Sequence, residues 1–257
     1  METIIVERRE DGVVSVTLNR PAKKNAINET MWDELLEVFI EIGESTTDRV
    51  LVLTGAGDAF CSGADLSGKV DDDRHQLQRM HHYNRVGLAL HAIPKPTIAK
   101  VNGFAVGAGM NIALGCDLVV ASDRARFSEI FVRRGLSVDL GGSWLLPRLV
   151  GMHKAKELVL LADILSAAEA ERIGVVNRVV AHDLLDAFVD DWARRMAAGP
   201  PLALSMSKRL LANAHSVTLS EALDAEATAQ SVNIASDDTR EGIRAFLQKD
   251  KPVFKGR

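Results

Sequence analysis

The chain has 257 residues, 47% of them hydrophobic and 26% charged, with 31 Lys and Arg against 35 Asp and Glu and a formal net charge of −4. This balance excludes a disordered chain, a collagen-like fibre and a disulfide-stapled module, because a chain of this length buries roughly 70–75% of its unfolded surface unaided. It also excludes the global basic field with which a domain attracts nucleic acid.

The N-terminus, METIIVERREDG, alternates and is charged, unlike a secretory leader. No apolar run approaches the ~20 residues that span a bilayer, and the longest candidate, residues 112–121, carries Asp117 in its middle. Two cysteines, Cys61 and Cys116, in so long a chain point to a reducing compartment. A soluble, cytoplasmic protein with no membrane or nucleic-acid partner is expected.

Residues 3–7 and 13–18 read as strands joined at Asp11-Gly12, a hairpin signal. Asn28 can cap a helix that places Trp32, Leu35, Leu36 and Phe39 on one face. A short buried strand, 50–53, ends in Gly55-Ala56-Gly57-Asp58. The polar segment 67–82, with Asp71, Asp72 and Asp73 in a row, reads as a mobile loop or an exposed helix start. Strands follow at 97–101 and 118–121, and this alternation implies an α/β layered domain. Beyond it the pattern is helical: Leu184, Leu185, Phe188, Trp192 and Met196 recur at helical spacing. Residues 219–234 are rich in Ala and Leu, and Ile243, Phe246 and Leu247 mark a last amphipathic piece.

Several chemical motifs fail on inspection. Gly63 to Lys69 approaches a phosphate-binding loop, but Val70 replaces the hydroxyl that would hold magnesium and Asp65 sits inside the anion cradle. Gly107-Ala108-Gly109 lacks the third glycine of a dinucleotide fingerprint, Ile112 standing in its place. His75, His81, His82 and His91 have no metal-ligand spacing and read as a solvated segment, and no metal is expected. Gly141-Gly142-Ser143-Trp144 is not a nucleophile elbow. What survives is physical: glycine-rich turns at helix starts leave backbone N–H groups free to hold an oxyanion.

Taken in order, Asn19-Arg20-Pro21…Asn25-Ala26, residues 59–66 (AFCSGADL), residues 101–109 (VNGFAVGAG), Cys116-Asp117-Leu118, Gly141-Gly142…Leu146-Pro147-Arg148 and Lys251-Pro252-Val253-Phe254 resemble the enoyl-CoA hydratase/isomerase (crotonase) superfamily over essentially the whole chain. The resemblance implies an α/β, crotonase-like spiral of ββα units with a C-terminal helical region. Within a single domain, residues 1–195 would form the core and 196–257 a trimerising helical segment. It further implies a homotrimer or dimer of trimers, an acyl-CoA thioester substrate, and no cofactor beyond the coenzyme A of that substrate. By motif position, the backbone N–H groups of Ala64 and Ala108 would bind the thioester oxygen. Coenzyme A would meet the turn 20–24, from Arg20 to Lys24, with Ala26, the loop 62–66 with Ser62, Ala64, Asp65 and Leu66, and Gly107, with Lys249 or Lys251 from the tail; Asn111 and Phe131 would also meet the substrate, Phe131 as a candidate pocket wall.

The acids depart from the hydratase pattern. The two positions at which hydratases of the family carry glutamates are Asn111 and Phe131, neither of which can deliver a proton. Glu129 lies two residues from the second position and is expected to point elsewhere. Asp139 resembles the aspartate of the isomerase branch, which includes 1,2-epoxyphenylacetyl-CoA isomerases. A capping aspartate before a helix at Gly142 is the alternative for this residue. The resemblance thus implies an isomerase with Asp139 as acid/base, set against a hydratase, an aromatic dehalogenase using the aspartate as nucleophile, and an inactive acyl-CoA-binding scaffold. Trp144 and residues 76–90 are further candidate pocket walls.

Overall fold

Antiparallel pairing of β1 (Ile4–Arg8) with β2 (Val13–Leu18) makes the hairpin read from Asp11-Gly12. The computed structural model describes residues 1–67 and 75–257, so Gly68, Lys69, Val70 and the run Asp71 to Asp73 lie outside the described residues. Helix α1 (Glu29–Glu44) begins as expected, with the Asn28 side chain accepting from the Met31 N–H at 3.1 Å, and it buries Trp32, Leu35 and Phe39.

From there the chain repeats one device. A long strand feeds a short strand in a second sheet, and a helix returns to the first. The units are β3 (Val50–Gly55), β4 (Ala59–Cys61) and α2 (Gln76–Ala92); then β5 (Thr97–Val101), β6 (Phe104–Val106) and α3 (Ala108–Leu114). The third unit is β7 (Leu118–Ser122), β8 (Arg126–Ser128) and, after a 3-10 turn at Ile130–Arg134, α4 (Gly142–Val150). Helix α5 (Met152–Leu161), β9 (Leu165–Ser166), α6 (Ala167–Arg172), β10 (Arg178–Val180) and α7 (Leu185–Ala197) complete the core. The larger sheet has the order β1-β2-β3-β5-β7-β10 and is parallel from β2 onward; the smaller runs β4-β6-β8-β9.

A parallel sheet must be covered on both faces, and side chains alternate between them. Leu51 and Leu53 enter the core shared with α1 and α2, while Val50 and Val52 pack under Leu185, Val189 and Ala193 of α7. Ala197 still belongs to that second core, so the expected division at 195/196 falls inside the last turn of α7. Beyond it lie α8 (Pro201–Asn213), α9 (Leu219–Ala235) and α10 (Asp237–Gln248), of which α8 and α9 bury no residue within the chain. Lys208 ties α8 to the core by an ion pair with Asp117 at 2.8 Å and a bond to the Lys95 carbonyl at 3.0 Å. No helix among the described residues is long and apolar enough to cross a membrane.

Candidate active site

Parallel strands end on one side of the sheet, and there two glycine-framed turns meet. The Ile27 N–H donates to the Gly63 carbonyl and the Asp65 N–H to the Ile27 carbonyl, both at 2.9 Å. This isolated parallel bridge leaves the N–H of Ala64, between them, facing away from Ile27. Opposite, Gly107 donates to the Ser128 carbonyl at 2.8 Å, and α3 starts at Ala108, whose N–H has no carbonyl one turn upstream in the helix. Gly63 adopts φ +96°, and a Cβ there would stand 3.0 Å from the Val106 carbonyl and 3.7 Å from the Ala108 nitrogen. Only glycine allows this approach. The Ala64 and Ala108 N–H groups thus occupy one small neighbourhood, and neither donates to an acceptor among the described residues.

Ala64, and through it the neighbourhood of the Ala108 N–H, stands at a cleft of about 830 Å³, walled by Ala64, Asp65 and Leu66, by Tyr83 and Asn84 of α2, and by Asp139 and Leu140. Arg20 and Lys23 bring positive charge to its rim. Asp65 is locked: its carboxylate accepts from Ser67 N–H and Oγ and from Arg20 Nη2, which holds it down at about 2. It stays anionic and is no proton carrier. Asn84 and Leu140 also wall a second cavity of about 470 Å³ lined by His91, Trp144, Leu88 and Leu145. Trp144 and the 76–90 segment are therefore cavity walls, as expected.

Asp139 lies on the loop before α4. Its side chain caps nothing: Gly141 occupies the cap position, and the Gly142 N–H donates to the Asp139 backbone carbonyl at 2.9 Å. Asn111 Nδ2 donates to the same carbonyl at 3.0 Å. The carboxyl, with Oδ1 buried and unpartnered, is pushed up to about 6 by burial. This is a group that changes charge near neutrality.

Glu129, expected to point elsewhere than the second acid position, borders neither cavity but is buried beside Asn111. β8 ends at Ser128 and the backbone bends at Glu129, with φ −83° and ψ 59°, which turns the side chain inward. It is 1% exposed and lies 3.5 Å from Asn111 Nδ2. Burial pushes it up to about 8, against the Asn111 hydrogen bond and with help from the Asp139 charge. The available signal was an acid between the buried residues of Phe127-Ser128 and Phe131.

Other expected contacts need correction. Phe131 walls neither cavity; its ring packs beneath Gly107, 3.6 Å from where a Cβ would stand. Lys24 turns to Asp58 at 3.0 Å and over the Phe104 ring, and its neighbour Lys23 faces the cleft instead. Ala26 is buried and offers only its carbonyl, to Arg20. Ser62 is spent on Lys24 and Lys23 carbonyls. Gly107 shapes the turn from beneath, and Asn111 reaches only the smaller cavity. Lys249 and Lys251 lie outside the cleft within this chain. Their tail returns to Arg49, which donates to the Phe254 carbonyl at 3.2 Å and stands before β3, at the end of that strand away from the site.

The ββα units thus bring two glycine-framed turns and the Asp139 loop to one region of the molecule. Residues 8–257 match the family model for enoyl-CoA hydratase/isomerase. The 1,2-epoxyphenylacetyl-CoA isomerase of Escherichia coli is 39% identical over 264 residues, covering 100% of both chains. The 2,3-dehydroadipyl-CoA hydratase of the same organism is 38% identical over 259 residues, again covering 100% of both. Among solved structures, a putative enoyl-CoA hydratase/isomerase from Mycobacterium abscessus superimposes with TM-score 0.94 at 38% identity, covering 99% of this chain and 100% of that one. An enoyl-CoA hydratase from Bacillus anthracis gives 0.95 at 32% identity, covering 100% of both. The chain belongs to the enoyl-CoA hydratase/isomerase family, enzymes of the crotonase superfamily that process acyl-CoA thioesters.

Proposed function

We propose that the chain is an acyl-CoA isomerase in which Asp139 carries the proton between two carbons of the acyl group. One observation carries this reading: of the two aspartates that wall the cleft among the described residues, Asp65 is fixed as an anion, whereas Asp139 is half-buried with an unpartnered carboxyl oxygen and sits at about 6. The Asp139 carboxylate takes a proton from the saturated carbon between the thioester carbonyl and the double bond of a 3-enoyl-CoA. The electron pair moves onto the thioester oxygen, where the N–H groups of Ala64 and Ala108 receive the charge. Protonated Asp139 then returns the proton to the other end of the dienolate. Atoms balance without water, and coenzyme A, its phosphates met by Arg20 and Lys23, is part of the substrate. Exposed Leu211, Leu219, Leu223 and Phe246 on the C-terminal helices suit them to bury surface against further copies, in a trimer or a pair of trimers.

Hydration is the second reading, favoured by the relatives that bear hydratase names. It needs a water activated and a proton delivered, and Asn111 holds one of the positions where a carboxyl would do this. Offered a 3-enoyl-CoA, the enzyme is expected to raise the absorbance of the conjugated enoyl thioester, and offered crotonyl-CoA to leave it unchanged. Loss of the crotonyl-CoA band without migration from the 3-enoyl substrate makes the chain a hydratase. Binding of both with no spectral change makes it a scaffold.

A further inference from the structure

Three buried oxygens without a partner gather around one side chain: Glu129 Oε1, Asn111 Oδ1 and Asp139 Oδ1. Asn111 joins the two acids, donating to the Asp139 carbonyl at 3.0 Å and facing Glu129 Oε2 at 3.5 Å. Its carboxamide is held tightly, because a Cβ on Gly142 would fall 2.5 Å from both its oxygen and its nitrogen. Glu129 borders neither cavity, so it does not meet substrate.

We propose that Glu129 is a positioning residue, whose carboxylic acid orients the Asn111 carboxamide and through it the backbone that aims Asp139 into the cleft. The inference rests on the reading of Asp139 as the proton carrier. A carboxylate 1% exposed, with a single long N–H contact, has too few donors to stay ionised, so Glu129 keeps its proton at neutral pH. Its O–H then supplies the donor that a cluster of acceptors lacks. An ionised Glu129 would instead set a second negative charge against Asp139 and draw the Asn111 amide off the loop.

Among the described residues no other charge competes for this acid. Helix α3, packed beside it, has no titratable side chain. In its own turn Arg133 and Arg134 are exposed, Arg133 pairing with Asp163 at 3.0 Å. On α5, Lys154 pairs with Glu157, and His153 and Lys156 are exposed. Arg148 of α4 lies over the Trp144 ring. Asp139 is the charge that acts on Glu129.

The test measures kcat and KM with a 3-enoyl-CoA across pH for Glu129→Gln, Glu129→Ala and Asp139→Asn, with thermal unfolding of each. Glu129→Ala is expected to lower kcat about tenfold with KM unchanged, since the cleft walls are intact. Glu129→Gln, neutral and still a donor, should stay within about threefold of the parent at neutral pH and lose the parent's decline in kcat above about pH 8. Parent-like kcat and pH profile in Glu129→Ala overturn the proposal. If Glu129→Ala does not fold, the decision passes to Glu129→Gln, where a persisting alkaline decline overturns it. Activity retained in Asp139→Asn instead refutes the proton-carrier reading, whatever the Glu129 variants do.

Discussion

Asp139→Asn is expected to lower kcat by about 10²–10⁴ while acyl-CoA affinity changes less than about threefold. The amide is nearly isosteric, and Asp139 Oδ1 has no hydrogen-bond partner among the described residues that the change would break. What it loses is the lone pair that accepts a proton. The same substitution should stabilise the fold. The Asp139 carboxyl rises from 3.8 unfolded to about 6 folded. Its stability contribution is therefore full below 3.8 and is lost as pH rises through about 6. The asparagine escapes that loss, and above pH 6 it should gain on the order of 1 kcal/mol after allowance for partial exposure, read as a higher Tm. The parent's kcat should fall as pH drops below about 6, where Asp139 takes up its proton. Unchanged turnover in the variant, or a parent profile flat through that region, rejects the assignment.

Gly109→Ala should injure both fold and turnover. A Cβ at Gly109 would sit 2.4 Å from the Cys61 carbonyl oxygen and 2.7 Å from the Cys61 Cβ. Neither can yield as a flexible side chain could, so α3 must retreat from β4. Overpacking of this kind costs about 3 kcal/mol, seen as a Tm lowered by roughly 6–12 °C in a domain of this size. The retreat carries Ala108 away from Ala64, and misplacing one oxyanion donor costs about 10²–10³ in kcat. A folded Gly109→Ala with the parent's Tm and kcat contradicts the close contact of the two turns. Loss of stability with normal turnover detaches that contact from the chemistry.

Long periodic elements were legible and short ones were not. Asn28 with the Trp32–Leu35–Phe39 stripe, and the stripe from Leu185 to Met196, announced their helices because many residues repeat one spacing. The three-residue strands β4, β6 and β8 leave no alternation to read; the second sheet entered through the family resemblance alone. At the site, Ala64, Ala108 and Asp139 stand at the cleft or beside it, because motif position dictates backbone path. Within the turn 20–24 motif position could not say which side chain faces the cleft: the left-handed Lys24 turns to Asp58, and Arg20 and Lys23 stand at the cleft. The burial of Glu129 beside Asn111 was not legible, because a periodicity argument presumes a regular element and the backbone bends at that residue.

In the proposed mechanism the thioester oxygen is met by peptide bonds, and this separates recognition from reaction in the genetic sense. A missense change at Ala64 or Ala108 leaves the N–H in place unless it introduces proline, the one residue without that hydrogen. Acyl-CoA recognition is thereby carried by the path of the chain, whereas a change of chemistry needs only a carboxyl gained, lost or moved at residues such as 111, 129, 131 or 139. Relatives with 38–39% identity over the whole chain carry isomerase and hydratase names, as that separation would allow.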